Sequence, residues 1–226
     1  MGILDSLRPV PGLRVLVTAG GSGIGAAVAR AFAEAGAQVH VCDVNRSALD
    51  RMASDSPGIT SSMADVAIER DVELVFDDVL GTLGGLDVLV NNAGVPGPTG
   101  AIESLDASHW GRTVAVNLNS QFLFARRAVP LLKQSRAGPC IVAMGAVAGR
   151  VGYAYRTPYA STKWAVLGLM QSLAIVLGPH DVRVNAILPG AVEAEDVAAL
   201  ALYLCSPAAR NVTGQAISVD ANNEHP

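Results

Sequence analysis

The sequence predicts a single α/β domain, a doubly wound (Rossmann-like), mainly parallel sheet with helices on both faces. Three observations predict it. Short apolar runs of strand length alternate with helical stretches along nearly all of the 226 residues. The first run ends in a glycine-rich string that opens a helix, Thr18-Ala19-Gly20-Gly21-Ser22-Gly23-Ile24-Gly25. No linker, repeat or low-complexity segment divides the chain. Its 50% apolar content can fill one large core, and its 16% charged content is far from that of a disordered chain.

Arg14–Ala19 reads as a buried strand, followed by an Ala-rich helix from Ile24 to Glu34 that Gly36 stops in the manner of a C′ glycine. Gln38–Asp43 is the second strand and Arg46–Ala53 the second helix. Ala67–Leu83 carries Val72, Val75, Phe76, Val79 and Leu83 at helical spacing. Leu86–Val90 is again a strand, ended by Asn91-Asn92. Asp106 is the N-cap of a long helix running towards Leu132. Cys140–Met144 is a strand, Tyr159–Leu177 a strongly apolar helix, and Val182–Leu188 a strand. Ala194–Leu204 is a short helix and Gln215–Val219 the last strand. Strands separated by helices imply right-handed crossovers, hence parallel pairing.

Composition narrows the function. Sixteen basic against twenty acidic residues give a net charge of −4 without a basic block, which argues against nucleic acid as a partner. Cys42, Cys140 and Cys205 are odd in number and lack metal-ligand spacing, so a reducing cytoplasm is the expected location. No uninterrupted apolar run approaches the roughly 20 residues of a membrane span, and no signal-peptide layout is visible. Gly2-Ile3-Leu4-Asp5-Ser6 fits the acylation pattern, which is too short and common to carry weight. His40, His109, His180 and His225 show no ligand spacing and are expected to be structural, with no metal site.

In a doubly wound sheet, ligands bind beyond the carboxyl ends of the strands. Glycines between the first strand and its helix let the backbone approach a pyrophosphate, whose charge meets the helix N-terminus. Asp43 closes the second strand, 18 residues after Gly25, where a carboxylate would take both ribose hydroxyls and repel a 2′-phosphate. That favours NAD over NADP, although Arg46 lies nearby in sequence.

From about Gly12 to Asp220 the chain resembles the short-chain dehydrogenase/reductase family. The glycine string is similar to its TGxxxGIG motif, with Ala19 in place of the first glycine. The resemblance implies cofactor contacts from Gly20, Ser22, Gly23, Ile24 and Gly25. It also places Asp65-Val66 at the adenine and Asn92-Ala93-Gly94, from NNAG, on the adenine-ribose side. Asn117, in Val116-Asn117-Leu118, matches the helix asparagine of the catalytic set. Tyr159-Ala160-Ser161-Thr162-Lys163 matches YxxxK, and Pro189-Gly190, with Val192, matches the cofactor-flanking segment. Tyr159 and Lys163 are thereby implied in cofactor binding as well as in catalysis.

The chemistry follows from the residues. Tyr159 and Lys163 are four apart and share one helix face. A phenol with a pKa of about 10 is a poor base at neutral pH, but a nearby ammonium and the positive nicotinamide of NAD⁺ stabilise the phenolate. Tyr159 then takes the hydroxyl proton of a secondary alcohol as hydride leaves carbon, or protonates a ketone in reverse. The resemblance implies that Lys163 also holds the nicotinamide ribose and that Asn117 anchors a relay water.

Two departures stand out. The family places a serine thirteen positions before the tyrosine, and here that position is Ala146, with Gly145 before it. Losing one such donor typically costs about 10²–10³ in turnover; Thr157 and Tyr155 are the candidate substitutes for that hydroxyl. After Val192 the family carries a few dozen residues that cover the substrate, and here Glu193-Ala194-Glu195-Asp196 leads straight into the next helix. Val95, Tyr153 and Tyr155 are the expected remaining wall. The expectation is an NAD(H)-dependent oxidoreductase for a small-molecule alcohol or ketone, impaired by Ala146. The rival is a non-catalytic NAD(H)-binding sensor or scaffold. The family's habit, and the apolar excess of Trp164, Val166, Leu169, Leu173 and Val176, imply a homodimer or homotetramer.

Overall fold

In the computed structural model, which describes residues 2–221, seven strands form one sheet. They are β1 (Arg14–Thr18), β2 (Gln38–Asp43), β3 (Thr60–Met63), β4 (Val88–Asn91), β5 (Cys140–Met144), β6 (Arg183–Pro189) and β7 (Ala216–Val219). Their spatial order is β3-β2-β1-β4-β5-β6-β7, with every neighbouring pair parallel. The winding direction reverses between β1 and β4, where a crevice must open at the carboxyl ends of the strands.

Apart from the polar edge strand β3, the strands are largely apolar because both faces of the sheet are covered. Along β1, Val15 and Val17 point into one core with Ala26, Phe32, Leu49 and Met52, while Leu16 points into the other with Val75 and Phe76. Helices α2 (Gly23–Glu34), α3 (Arg46–Asp55) and α8 (Ala194–Leu204) cover the first face. Helices α4 (Glu69–Leu83), α6 (Ser120–Leu132) and α7 (Thr157–Leu177) cover the second, where the Phe76 and Phe124 rings meet at 5.9 Å. Helix α5 (Ala107–Val114) leads into α6, and α1 (Ile3–Ser6) is a short exposed turn that the sequence did not suggest. Gly36 adopts φ +86°, as a helix stop requires.

Four expectations need adjusting. Strand β3 was unforeseen because Thr60-Ser61-Ser62-Met63 has no apolar run; it is an edge strand, held by its pairing to β2. The long helix from Asp106 is interrupted by a π turn, Ala115–Asn119, which a periodicity of 3.6 cannot register. Helix α4 begins at Glu69 and not Ala67, because the Asp65 carboxylate accepts the Ala67 N–H at 3.0 Å and holds a turn there. Helix α7, with the turn after it, has the length and composition of a membrane span, which uninterrupted apolar runs do not reveal. Its inner face, with Val166, Met170, Ala174 and Leu177, nevertheless packs into the core over β6. His225 lies outside the described residues.

From β6 the chain reaches α8 directly. Gly190 N–H donates to Val219 O at 2.9 Å, Val192 N–H to Gly190 O at 3.1 Å, and Glu193 precedes the first turn of α8.

Candidate active site

The crevice between β1 and β4 is locked by one side chain from each strand end. Thr18 Oγ1 accepts the Asn92 and Ala93 N–H groups, both at 2.9 Å. Asn92 Nδ2 donates back to Thr18 O at 2.9 Å and to Ala19 O at 3.2 Å. Thr18 stood inside the glycine string, but its bridging role depends on the crossing of β1 and β4 and has no linear signal.

The turn that follows runs so close to its surroundings that side chains are excluded. A Cβ on Gly20 would lie 2.6 Å from Val41 Cβ, and one on Gly25 would lie 2.2 Å from Ala19 O. Gly23 adopts φ +53°, and Ala19, where the family carries glycine, adopts φ +50°. An L-residue in that region costs roughly 1–2 kcal/mol, so Ala19 stores strain at the start of the cradle. Ser22 is the N-cap residue of α2, and Ser22, Ile24 and Gly25 line the cleft beyond it.

At the far end of this turn the Asp43 carboxylate is buried and accepts the Gly21 N–H at 3.0 Å and the Asn45 N–H at 2.9 Å. Both contacts fix its orientation at the tip of β2 while leaving lone pairs for further donors. Arg46 is exposed on α3. Asp65 pairs with Arg112 of α5 at 2.9 Å, so its carboxylate is already compensated, and Val66 is buried in the core.

The reacting end is built on α7. Tyr159 and Lys163 stand one turn apart, with Lys163 Nζ 5.6 Å from the Tyr159 ring centroid. Lys163 Nζ donates to Met144 O at the end of β5, at 2.9 Å. Burial of the amine pushes its pKa down to about 8. Gly94 passes beside Lys163 Nζ and Asn117 Oδ1, where a Cβ would be in van der Waals contact with both.

Asn117 sits in the π turn, fully buried, and its amide is occupied. Oδ1 accepts the Val95 N–H at 2.7 Å, while Nδ2 donates to Val95 O at 3.0 Å and to Thr162 Oγ1 at 3.1 Å. It clamps the Val95 backbone, which lines the cleft, with both amide hydrogens engaged by protein groups.

A cleft of about 540 Å³ joins these parts, running from Ser22 and Gly25 past Asn92 and Gly94 to Tyr159, Lys163, Pro189 and Gly190. Ala146 lines it in extended backbone, φ −170°. Gly145 before it has no hydroxyl either, and a Cβ there would press on Leu188 Cδ2 at 2.3 Å. Of the expected wall, Val95 and Tyr153 line the cleft and Tyr155 does not. Thr157 does not line it either, so among the described residues Tyr153 is the lining hydroxyl nearest Tyr159 in the chain. Gly20, Gly23, Asp43, Asp65, Val66, Ala93 and Val192 do not line this cleft. Arg156 lines it beside Tyr159, which nothing in the sequence had suggested.

A doubly wound sheet with a glycine turn at its switch point and a Tyr–Lys pair across the crevice defines a class of dinucleotide-type α/β domain. The chain belongs to the short chain dehydrogenase family, which it matches over residues 14–201. It is 35% identical over 176 residues to L-fucose dehydrogenase of Bos taurus, covering 78% of this chain and 64% of that one, so the match spans less than two thirds of that relative. It is 35% identical to the mitochondrial borneol dehydrogenase of Lavandula x intermedia, covering 95% of this chain and 91% of that one. That alignment runs over 239 positions, more than the 226 residues here, so the relative carries residues with no counterpart in this chain. The solved structure of 3-ketoacyl-(acyl-carrier-protein) reductase from Brucella melitensis complexed with NADH superposes with a TM-score of 0.91 at 28% identity, covering 94% of this chain and 98% of that one.

Proposed function

We propose that this chain is an NAD(H)-dependent oxidoreductase that interconverts a secondary alcohol and a ketone. The observation that carries the reading is the buried Lys163 amine beside Tyr159, in one cleft with the glycine turn. The residues fit a dinucleotide. The cleft is continuous from the α2 N-terminus to Lys163, the glycine turn tolerates no side chains at Gly20 and Gly25, and Asp43 is held at the tip of β2. The NADH complex of the Brucella neighbour supports the same choice.

When bound, NAD(H) supplies the hydride acceptor or donor. Tyr159 Oη takes the proton of the substrate hydroxyl in oxidation and returns it in reduction. Lys163, anchored by Met144 O, holds a positive charge beside the phenol ring and favours its ionised form. The α2 N-terminus and its turn would hold the pyrophosphate, and Asp43 would hold the adenosine ribose. Asn117 keeps the Val95 wall in place.

Ala146 leaves the substrate oxygen without the hydroxyl the family supplies, so turnover is impaired in this form. Ala146→Ser should raise turnover of a secondary-alcohol panel with NAD⁺ by about 10²-fold, with NADH affinity unchanged. Tyr159→Phe in that background should abolish the gain. If Ala146→Ser stays inert while NADH binds, the chain is instead a binding domain that senses or presents NAD(H). Titration should also show NADH binding more tightly than NADPH, a gap that Asp43→Ala narrows; equal affinities would remove Asp43 from the ribose. Free, buried Cys42, Cys140 and Cys205 support a reducing, cytoplasmic location.

A further inference from the structure

Among the described residues, Arg156 is a charge without a counter-charge. It lines the cleft three residues before Tyr159, with its guanidinium carbon 5.1 Å from the centre of the Tyr159 ring. Nη2 donates to Pro96 O at 3.1 Å. Nε is buried and has no acceptor. No carboxylate pairs with the side chain among the described residues, and, unlike the other arginines without an acidic partner, it lines the cleft. Leaving a buried donor unsatisfied typically costs about 1–3 kcal/mol, and charged groups cost more. Nε is sealed within the protein, so the face that Arg156 offers to a ligand in the cleft is that of Nη1 and Nη2.

The surroundings say what that partner is. Among the described residues lining the cleft, Arg156 and Lys163 are the only charged side chains, and both are cationic. Lys163 is committed to Met144 O beside the reacting phenol. Val95, Pro96, Val147 and Tyr153 make the rest of the wall near Arg156 mostly apolar. One uncompensated guanidinium in an apolar wall matches a single negative charge. A planar, monoanionic carboxylate also fits the donors that Nη1 and Nη2 still offer, and a phosphate dianion would need a second free cation.

We infer that the substrate is a hydroxy acid or oxo acid, with its carboxylate gripped by Arg156 while its alcohol or ketone carbon lies at Tyr159. This rests on the oxidoreductase reading above and adds the substrate class. Because Arg156 stacks on the very ring that exchanges the proton, the carboxylate and the reacting carbon are separated by only a few bonds.

The test uses a pair that cannot react. 3-Hydroxybutanoate and its neutral amide, 3-hydroxybutanamide, are titrated by calorimetry into the full chain loaded with NADH. The carboxylate should bind at least tenfold more tightly than the amide. Arg156→Met should erase that difference by weakening carboxylate binding alone, and Arg156→Lys should keep part of it. Circular dichroism and NADH affinity check that both variants are folded; if the Met variant is not, the Lys variant alone decides, since a structural role would leave its carboxylate-to-amide ratio unchanged. Equal binding of the two ligands, or a preference that survives loss of the guanidinium, overturns the inference while leaving the oxidoreductase reading intact. Failure of the folded protein to bind NADH at all removes the oxidoreductase reading, and this inference with it.

Discussion

Lys163 shows how function is held at a cost to the fold. Its amine would titrate at 10.5 in water, and burial lowers that to about 8. For a lysine lowered on folding, the unfolded chain binds the proton more readily between those values, so folding loses stability as pH falls from 10.5 to 8. The full cost, about 3 kcal/mol, is present at neutral pH. Lys163→Met should therefore abolish turnover yet raise the unfolding free energy at pH 7 by about 1–3 kcal/mol, the range allowing for the lost hydrogen bond to Met144 O. Urea denaturation measures it, and a destabilised variant would show that the bond outweighs the desolvation. At this scale Tyr159, Lys163 and Ala146 were legible in the sequence, because YxxxK and the position thirteen before it are local patterns. Arg156 was not, because its importance lies in the absence of a carboxylate partner, and partners are chosen by packing.

At the scale of elements, the unforeseen strand β3 is held by a polar network. His40 on β2 has Thr60 Oγ1 at 2.8 Å from Nδ1 and Ser62 Oγ at 2.8 Å from Nε2, and Ser62 Oγ donates to Asp78 of α4 at 2.5 Å. Burial pushes the imidazole down to about 4, partly opposed by the negative charge of Asp78. A histidine lowered on folding stays neutral in the native state while the unfolded chain protonates near 6.5. Stability therefore falls as pH drops from about 6.5 to 4 and levels off below that. The step amounts to roughly 2 kcal/mol between pH 7 and 5. Denaturant midpoints across that range should show the loss, and His40→Gln should flatten it; an unchanged slope would mean the imidazole is not held neutral. The expectation that His40 is structural survives, but its partners come from a strand whose polar sequence hides it. The π turn was hidden for a similar reason. Asn117 is placed by one extra residue in a helical turn, and its amide pairs with Val95, 22 positions away in sequence.

At the scale of the molecule, the outward face of α7 is left uncovered. Trp164 is 51% exposed, Ile175 79% and Val176 64%, and Phe122 on α6 is 50% exposed. Val166, counted on that face from the sequence, is instead buried against the sheet. Apolar surface of this kind on helices that cover one sheet face fits a subunit interface. Light scattering at micromolar concentration should give a dimer or tetramer mass, and a monomer would overturn it.

The sequence by itself determined the winding of the sheet, since apolar runs, glycine stops and helical periodicity are properties of neighbouring residues. It also determined the two ends of the cleft, because the glycine string and YxxxK are each written within one element. Only the tertiary structure decided how those ends meet: the Thr18–Asn92 lock, the clamp of Asn117 on Val95, the anchoring of Lys163 by Met144 O, and the placing of Arg156 on the Tyr159 ring. Each depends on which distant groups packing brings within about 3 Å, the range over which a hydrogen bond acts.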